Sequence, residues 1–478
     1  MQRLCSFVIA CGFAAALGAF AEDAEGLVIR RPAAKSTQPD TSGVAIKRMD
    51  VAVEIDGLAA RTRVTHVFEN TTDNALPVEG IYTFPLPPGA AADFFAMTVQ
   101  SETELAPGTL LVKNSALDIF NDITEHRGSY IARGSESTGK FMGSRSGQAG
   151  SASDPGLLES LGAGLFRAQF FPIEKHRTKS IVVSCLQPLE VQRQTSGTAV
   201  LVYRFPLGPA KNYLESAGVV HLTARLHGNP GASVSSSINT VKSTDASGET
   251  LLDATLPASE FQGGTWEISV ALPSTDVRSS ECIVLANHSD LREADVFALT
   301  LSPLELSTAA IKGARISVTL PGGRKADLCG ASVSDLERGH GLTIFGSCLQ
   351  HGLATIVLQG TIDGAPFSRY WTFNLPEKAS ANEVAAKFYS VARSQELSAQ
   401  GHSLDAALLA GKNGIVALDA AFLILDTDKR YRKYHVVRAI NNDKENGAGR
   451  CLSTFTEAGT AVPVPTTEEG EVEIGLAR

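Results

Sequence analysis

Cysteine and tryptophan are scarce in the sequence, which has seven cysteines and two tryptophans among 478 residues. Cys5 and Cys11 lie in the first eleven residues, and the others are odd in number and widely spaced, which excludes the framework of a small disulfide-rich protein. Cys329 and Cys348 flank a short hairpin-like stretch. They either form a disulfide in an oxidising compartment or remain two unpaired buried thiols.

The sequence also lacks an excess of positive charge and, after its N-terminus, any long apolar run. Lysine and arginine total 42 against 51 acidic residues, so the formal net charge is −9 and gives no general basic footprint for nucleic acid or anionic lipid. Beyond the first 21 residues, no stretch reaches the roughly 18 apolar residues of a membrane-spanning helix. With 43% hydrophobic residues, the chain can bury sizeable cores, and its length favours about three domains.

The first 21 residues have the pattern of a secretory signal peptide. Arg3 supplies the positive end, residues 7–17 the apolar core, and Ala19–Ala21 an A-x-A cleavage site before Glu22. An alternative interpretation makes Cys11 the end of a lipoprotein box, but the apolar segment continues past this cysteine. We therefore expect an exported chain, extracellular or in the periplasm or cell envelope, that is soluble or at most peripherally attached.

Three strands are predicted after a linker at residues 22–42, which has recurrent proline, serine and threonine and no apolar period. Alternation of apolar and polar residues assigns buried faces to Met49, Val51, Val53 and Ile55, to Thr62, Val64, His66 and Phe68, and to Val78, Gly80, Tyr82 and Phe84. Residues 84–87 stop the third strand, because proline cannot donate to a strand ladder. We expect an antiparallel meander with one buried face.

The period changes after residue 97. Ala116, Ile119, Phe120 and Ile123 recur at helical spacing and predict a short amphipathic helix that is capped near Ser115. The segment 128–155 is crowded with glycine and serine and is predicted to be a flexible surface loop. Further β-rich segments expected to complete the same module cover residues 156–159, 165–173 and 179–185.

The ordered motifs between residues 49 and 97 resemble the VIT domain, the N-terminal module of inter-α-trypsin inhibitor heavy chains and of their bacterial relatives. The resemblance is carried by Val-x-Ile-x-Gly at 53–57, Phe-x-Asn at 68–70, Gly-x-Tyr-x-Phe-Pro-Leu-Pro at 80–87, Ala91 and residues 95–97. It implies a β-sandwich-like VIT domain over residues 43–190. The resemblance identifies a type of domain and does not indicate a catalysed reaction.

The rest of the chain is predicted to be mainly β, followed by short helices and a final strand. Between residues 198 and 375, strand-like segments alternate with polar turns, which predicts a second, hub-like β-sandwich. Helical spacing then returns in the segment 376–440, and residues 420–425 read as a buried terminal strand that packs on this second sandwich. Residues 441–478 are expected to be an acidic, flexible tail.

In the family that the motifs resemble, a von Willebrand A domain usually follows the VIT module and holds a divalent cation in an Asp-x-Ser-x-Ser loop. The segment 296–301 resembles the strand before that domain, and the segment 352–360 resembles a strand after it. About ten residues lie between Pro303 and Ala314, where an A domain needs on the order of 180. The resemblance therefore implies a hub sandwich without the A domain and without its cation site.

Histidine and basic–aromatic patterns are the remaining candidates for a site. His66 lies on a predicted inward face, which favours a core histidine. His340 and His351 lie at the two ends of a predicted strand. They are interpreted either as a metal-binding pair or as two unrelated surface histidines. Residues 429–435 interleave cations with aromatic rings, which can bind polyanions, but the end of a solvated helix is the favoured interpretation.

Three short motifs carry less weight. Asn70 and Asn287 begin glycosylation sequons that matter only in a eukaryotic host. Residues 154–155 are Asp-Pro, but they are not at a C-terminus and cannot stand for the ester linkage to glycosaminoglycan of animal heavy chains. Residues 162–164 are Gly-Ala-Gly without a surrounding βαβ unit, so they do not predict a dinucleotide loop.

We predict no catalytic, cofactor-binding or metal-binding residues, because no Ser-His-Asp or Cys-His pairing has a supporting local motif. The sequence thus favours an exported, non-enzymatic protein that acts through an unidentified protein partner in the cell envelope or extracellular matrix. An alternative is an accessory subunit of an envelope complex whose partner supplies the A domain or the enzymatic activity. A hydrolase with an unfamiliar site is the third class.

Overall fold

The computed structural model describes residues 26–30, 43–73, 77–99, 103–135, 154–196, 198–227, 232–244, 249–272, 282–287, 295–329, 335–375 and 383–439. The strands up to residue 193 are β1 Gly26–Arg30, β2 Val44–Asp56, β3 Ala59–Asn70, β4 Val78–Pro85, β5 Ala91–Thr98, β6 Leu105–Pro107, β7 Thr109–Val112, β8 Gly156–Gly162, β9 Leu165–Ile173, β10 Thr178–Pro188 and β11 Glu190–Arg193. The next strands are β12 Ala199–Pro206, β13 Leu214–His227, β14 Ser233–Ser236, β15 Val241–Thr244, β16 Thr250–Pro257, β17 Thr265–Ala271 and β18 Cys282–Asn287.

The last strands are β19 Asp295–Leu301, β20 Ile311–Thr319, β21 Asp327–Cys329, β22 Asp335–Leu336, β23 Leu342–Cys348, β24 Gly352–Ile362, β25 Ala365–Leu375 and β26 Ala420–Ile424. The helices are α1 Lys113–Ser135, α2 Ala210–Tyr213, α3 Glu383–Ala399, α4 Ser403–Lys412 and α5 Asp428–Lys433. Two short 3-10 turns occupy Leu304–Ser307 and Pro321–Gly323. The described chain is therefore mainly β, as predicted. None of its helices is long and apolar enough to span a membrane.

An eight-stranded sheet and two smaller sheets form the N-terminal sandwich. The large sheet has the order β15-β16-β13-β2-β3-β10-β5-β6, and all its neighbours are antiparallel except β2 and β13. The two smaller sheets are β1-β4-β9-β8-β26-β7 and β11-β12-β17-β14. One buried cluster joins side chains from all three sheets, among them Phe68, Tyr82, Tyr203 and Trp266.

The predicted alternation is confirmed, whereas the predicted meander is wrong for its third strand. Met49, Val51, Val53 and Ile55 are all buried, and β2 pairs antiparallel with β3. However, β4 pairs with β1 and β9 in the opposite sheet, and β10 lies beside β3 instead. Alternation determines which side chains are buried, and a strand can bury the same face from either layer of a sandwich.

The predicted linker at residues 22–42 contains a strand, which corrects that prediction. β1 pairs with the edge of β4, and its Leu27 and Ile29 are 0% and 3% exposed. Only three consecutive apolar residues, 27–29, mark this strand in the sequence, which is too few to establish a period. The predicted signal peptide and the predicted acidic tail at 441–478 lie outside the described residues.

The predicted amphipathic helix exists and is longer than expected. α1 buries Ala116, Phe120 and Ile123 against a cluster that includes residues of β26. It continues to Ser135, so the first eight residues of the predicted loop 128–155 are helical. Residues 136–153 of that loop lie outside the described part of the chain.

The second sandwich consists of two four-stranded antiparallel sheets. Their orders are β18-β19-β23-β21 and β22-β20-β24-β25. Phe297 and Leu299 of one sheet share a core with Ile356 and Phe373 of the other. The junction between β19 and β20, where the family resemblance places an A domain, holds the 3-10 turn Leu304–Ser307 and carries the chain from one sheet to the other.

The predicted terminal strand does not pack on the second sandwich, which is a further correction. β26 lies between β8 and β7 of the N-terminal sandwich, and all five of its residues are buried. A continuous apolar run indicates a strand covered on both faces. It does not indicate which sheet provides the covering.

The predicted boundary between the VIT domain, ending at residue 190, and the second sandwich, beginning at residue 198, is also crossed. β2 and β13 lie on either side of it and pair as parallel neighbours in one sheet.

Candidate functional site

His66 lies in the core between the two layers of the N-terminal sandwich. It is 5% exposed, and its Nε2 is 3.5 Å from the hydroxyl of Tyr82. The Tyr82 ring meets the imidazole edge-on, with centroids 5.0 Å apart. Burial lowers the pKa of His66 to about 3, so the ring is neutral near neutral pH. This environment fits a core histidine.

The two histidines weighed as a metal pair contact different carboxylates. Nδ1 of His340 is 2.5 Å from Glu190, and Nε2 of His351 is 2.5 Å from Asp295. The residues flank opposite ends of β23, a seven-residue strand. Within the described ranges, no three His, Cys, Asp or Glu side chains converge as metal ligands.

Cys329 and Cys348 are both buried free thiols. Of the two alternatives, a disulfide or two unpaired buried thiols, the structure therefore has the second. Burial raises the pKa of Cys329 to about 12 and that of Cys348 to about 11. The pKa of Cys185 is also raised by burial. Thiols with such pKa values are protonated at neutral pH and are poor nucleophiles.

The basic–aromatic segment 429–435 forms most of α5. Thr427 caps this helix by accepting from the backbone N–H of Arg430, and Tyr431 is buried. Arg430 pairs with Asp426, and Nζ of Lys433 lies 3.2 Å from an Asp122 carboxylate oxygen. These contacts neutralise much of the segment and hold it against α1.

Of the other motifs, those that the structure describes belong to the core or to a turn. Asn70 is 0% exposed and donates through Nδ2 to the carbonyl of Ile173 at 3.0 Å, so the folded chain does not present this sequon. The side chain of Asn287 is outside the description. Asp154 is buried and paired with Lys179. Residues 162–164 form the turn between β8 and β9, with positive φ throughout.

Two buried carboxylates form charge clusters that the sequence analysis missed. Asp93, whose side chain is 2% exposed, accepts from Arg61 at 2.8 Å and from Lys387 of α3 at 2.7 Å. The acidic residue inside the otherwise apolar strand β5 was the only local signal for this cluster. A second carboxylate is surrounded in the same way, with Lys113, Arg167 and Gln169 donating to Glu159. A buried carboxylate paired with two cations anchors the elements that carry those cations.

The outward face of the sheet β20-β24-β25 is broad and, in its two central rows, uncharged. The paired rows across this face are Ser317, Val357 and Tyr370, and Thr319, Thr355 and Thr372. Tyr370 is 72% exposed, and Leu353 of β24 is 66% exposed. Tyrosine is enriched in protein contact surfaces, and apolar patches mark them.

A cavity of about 150 Å³ opens at one end of the second sandwich, between the end of β20 and the end of β23. The lining includes Leu320, Arg324, Lys325, Asp327, Leu349 and Gln350. The Pro321–Gly323 turn brings the two cations to this place. No sequence motif marked it, because its residues come from two separate loops.

The fold defines a mainly β protein that is built from two sandwiches. Residues 46–185 match the family model described as the Vault protein inter-alpha-trypsin (VIT) domain. The chain therefore contains a VIT domain, as the motif resemblance predicted.

Sequence comparison with curated proteins gives no match. Among solved structures, native yeast LTA4 hydrolase matches with a TM-score of 0.25 and 9% identity, over 53% of this chain and 31% of the hydrolase chain. The yeast enzyme in complex with bestatin matches with a TM-score of 0.23 and 9% identity, over 50% of this chain and 31% of the other. The chain thus spans less than a third of these proteins, and likeness at this level carries no argument about activity.

Proposed function

We propose that this chain is an exported, non-enzymatic VIT-domain protein that binds a protein partner in the cell envelope or extracellular matrix. The observation that carries the proposal is the VIT domain at residues 46–185, which indicates an interaction module. The paired buried carboxylates and the protonated buried thiols favour a structural scaffold. The outward face of β20, β24 and β25, whose two central rows are uncharged, offers the scaffold a contact surface.

Affinity isolation from an envelope extract tests this proposal. The tagged wild-type chain should retain a protein in fixed stoichiometry. The double variant L353E/Y370E should lose it, because two carboxylates would be desolvated at the contact. V241E is the matched control, since Val241 is 74% exposed on a different sheet. A chain that isolates alone under all conditions would contradict the proposed function. A partner retained equally by all three proteins would contradict the contact surface.

Export and the absence of turnover need their own measurements. The mature chain should begin at Glu22 and be recovered outside the cytoplasm. A turnover screen with ester, glycoside and peptide substrates should stay blank, and EDTA should leave the melting temperature unchanged, since ligand-linked stabilisation requires a bound ligand. Hydrolysis that co-purifies with the wild-type chain through several columns would overturn the non-enzymatic part of the proposal.

The short junction between β19 and β20 favours a second candidate function. If family relatives carry an A domain at this junction, this chain could act as an accessory subunit whose partner supplies that domain or the enzymatic activity. The isolated complex distinguishes the two candidates. A partner with a divalent-cation-dependent or catalytic activity supports the accessory subunit, whereas a partner without either supports the simple interaction protein.

A further inference from the structure

The cavity at the end of the second sandwich has features of a binding site, beginning with its charge. Arg324 and Lys325 form no ion pair and no side-chain hydrogen bond with any residue that the structure describes. Asp327 is the carboxylate on the lining, and its Oδ2 lies 3.6 Å from Nη2 of Arg393, which offsets its charge. The cavity therefore presents two unpaired cations beside one compensated carboxylate, which favours an anionic ligand.

The second feature is an amide oxygen without a donor. Oε1 of Gln350 is enclosed, and no residue in the described part of the chain donates a hydrogen bond to it. A Cβ at Gly322 would lie 3.6 Å from this oxygen, so the turn that carries the cations also covers the amide. A buried acceptor left without a donor is unfavourable. A ligand N–H, reached by a rotation of the Gln350 side chain, would supply the missing donor.

The third feature is apolar. Leu320 and Leu349 complete the lining, and Leu349 is 65% exposed at the cavity mouth. A cavity of about 150 Å³ accommodates one small side chain with its terminal groups and excludes a large organic ligand. Cations, an acceptor for an N–H and an aliphatic wall thus lie around one small space.

We propose that this cavity binds the C-terminal carboxylate of a peptide chain that ends in a small aliphatic residue. Arg324 and Lys325 hold the carboxylate, Gln350 accepts from the N–H of the last peptide bond, and Leu320 and Leu349 contact its side chain. Capture of a terminal carboxylate by converging donors is an established mode of peptide recognition. The inference rests on the proposed function, because it assigns the chemical class of the partner segment.

Saturation-transfer NMR on the full-length mature chain tests the site, with N-acetyl-leucine as the probe. This fragment carries the carboxylate, the N–H and the aliphatic side chain, and we expect a Kd on the order of millimolar for so few atoms. N-acetyl-leucinamide, which lacks the charge, should bind at least about tenfold more weakly, and high salt should weaken the acid but not the amide. Equal binding of the acid and the amide would overturn the proposal.

One double variant and one matched control locate the site. R324Q/K325Q should weaken the acid at least about tenfold, because charge-assisted contacts are lost. R315Q/K242Q removes the same charge from exposed positions elsewhere, on β20 and β15, and should leave binding unchanged. Equal loss in both double variants would show a general charge effect and would contradict the site.

The N–H contact has a separate test. N-methylation of the probe should weaken binding to the wild-type chain about fivefold, the size of one neutral hydrogen bond. In Q350M, which keeps the side-chain length and lacks the acceptor, methylation should make no difference. A methylation effect of the same size in both proteins would remove Gln350 from the site.

A tripeptide with a C-terminal leucine distinguishes a peptide end from a free acylated amino acid. It should bind at least as tightly as the fragment with a free carboxylate, and lose binding when amidated. If the wild-type chain does not bind the fragment but still retains a partner in affinity isolation, this site is refuted and the proposed function stands. If the chain binds the fragment but retains no partner, the site stands and the proposed function is refuted.

Discussion

At the scale of single residues, His66 gives the fold a pH dependence of known sign. Its pKa is about 3 in the folded chain because burial disfavours the charged ring, and about 6.5 when the chain is unfolded. The unfolded chain therefore binds the extra proton between these values, and stability falls as the pH drops below about 6.5. Between pH 6.5 and 5 the expected loss is about 2 kcal/mol, before most carboxylates begin to titrate.

Chemical denaturation at a series of pH values measures this effect. The free energy of unfolding of the wild-type chain should decline through this window, and H66L should lack that part of the decline. H402Q serves as the control, because it replaces a histidine whose side chain is 57% exposed in place of the buried one. Identical slopes for wild type and H66L would mean that the imidazole reaches solvent or a cationic state inside the fold.

At the scale of elements, β26 joins the end of the described chain to the VIT domain. Phe422 is 2% exposed and pairs in register with Leu110 of β7 and Leu158 of β8. F422A should cost about 3 to 5 kcal/mol, because it leaves a cavity in a closely packed layer. Hydrogen exchange should show amides of β7 and β8 losing protection in F422A, while L418A, at a residue 37% exposed, changes them little. Loss confined to the second sandwich would contradict this strand order.

The elements also show how far the sequence predicts this fold. Residues such as Val51, Val64 and Tyr82 revealed their buried faces through a two-residue period, because burial acts on each position locally. The sheet to which β4 or β26 belongs depends on contacts between residues far apart in the chain, such as Phe422 with Leu158. The cavity beside Gln350 had no local signal for the same reason, since its two loops meet only in the folded sandwich.

At the scale of the whole molecule, α3 links the two sandwiches. Lys387 donates to Asp93 of β5 at 2.7 Å, and the neighbouring Phe388 ring lies 6.1 Å from that of Phe345 in β23. One helix thus contacts both units through adjacent residues, with a buried ion pair on one side and an aromatic pair on the other. We expect the two sandwiches to unfold together while both contacts are intact.

Truncation of Phe388, which is 1% exposed, tests this coupling. F388A should cost about 3 to 5 kcal/mol, because the Phe388 ring is buried in the core of the N-terminal sandwich and also contacts Phe345 of the second sandwich, while the Lys387–Asp93 pair remains. Calorimetry should then resolve two transitions in place of one, because the contact between the two sandwiches is weakened. Y370A is the control, because the exposed Tyr370 lies on β25, in a different sheet from Phe345, and it should keep a single transition near the wild-type temperature. A single transition that shifts uniformly in F388A would show that the coupling passes through other contacts, and two transitions in the wild type would show that the sandwiches are independent.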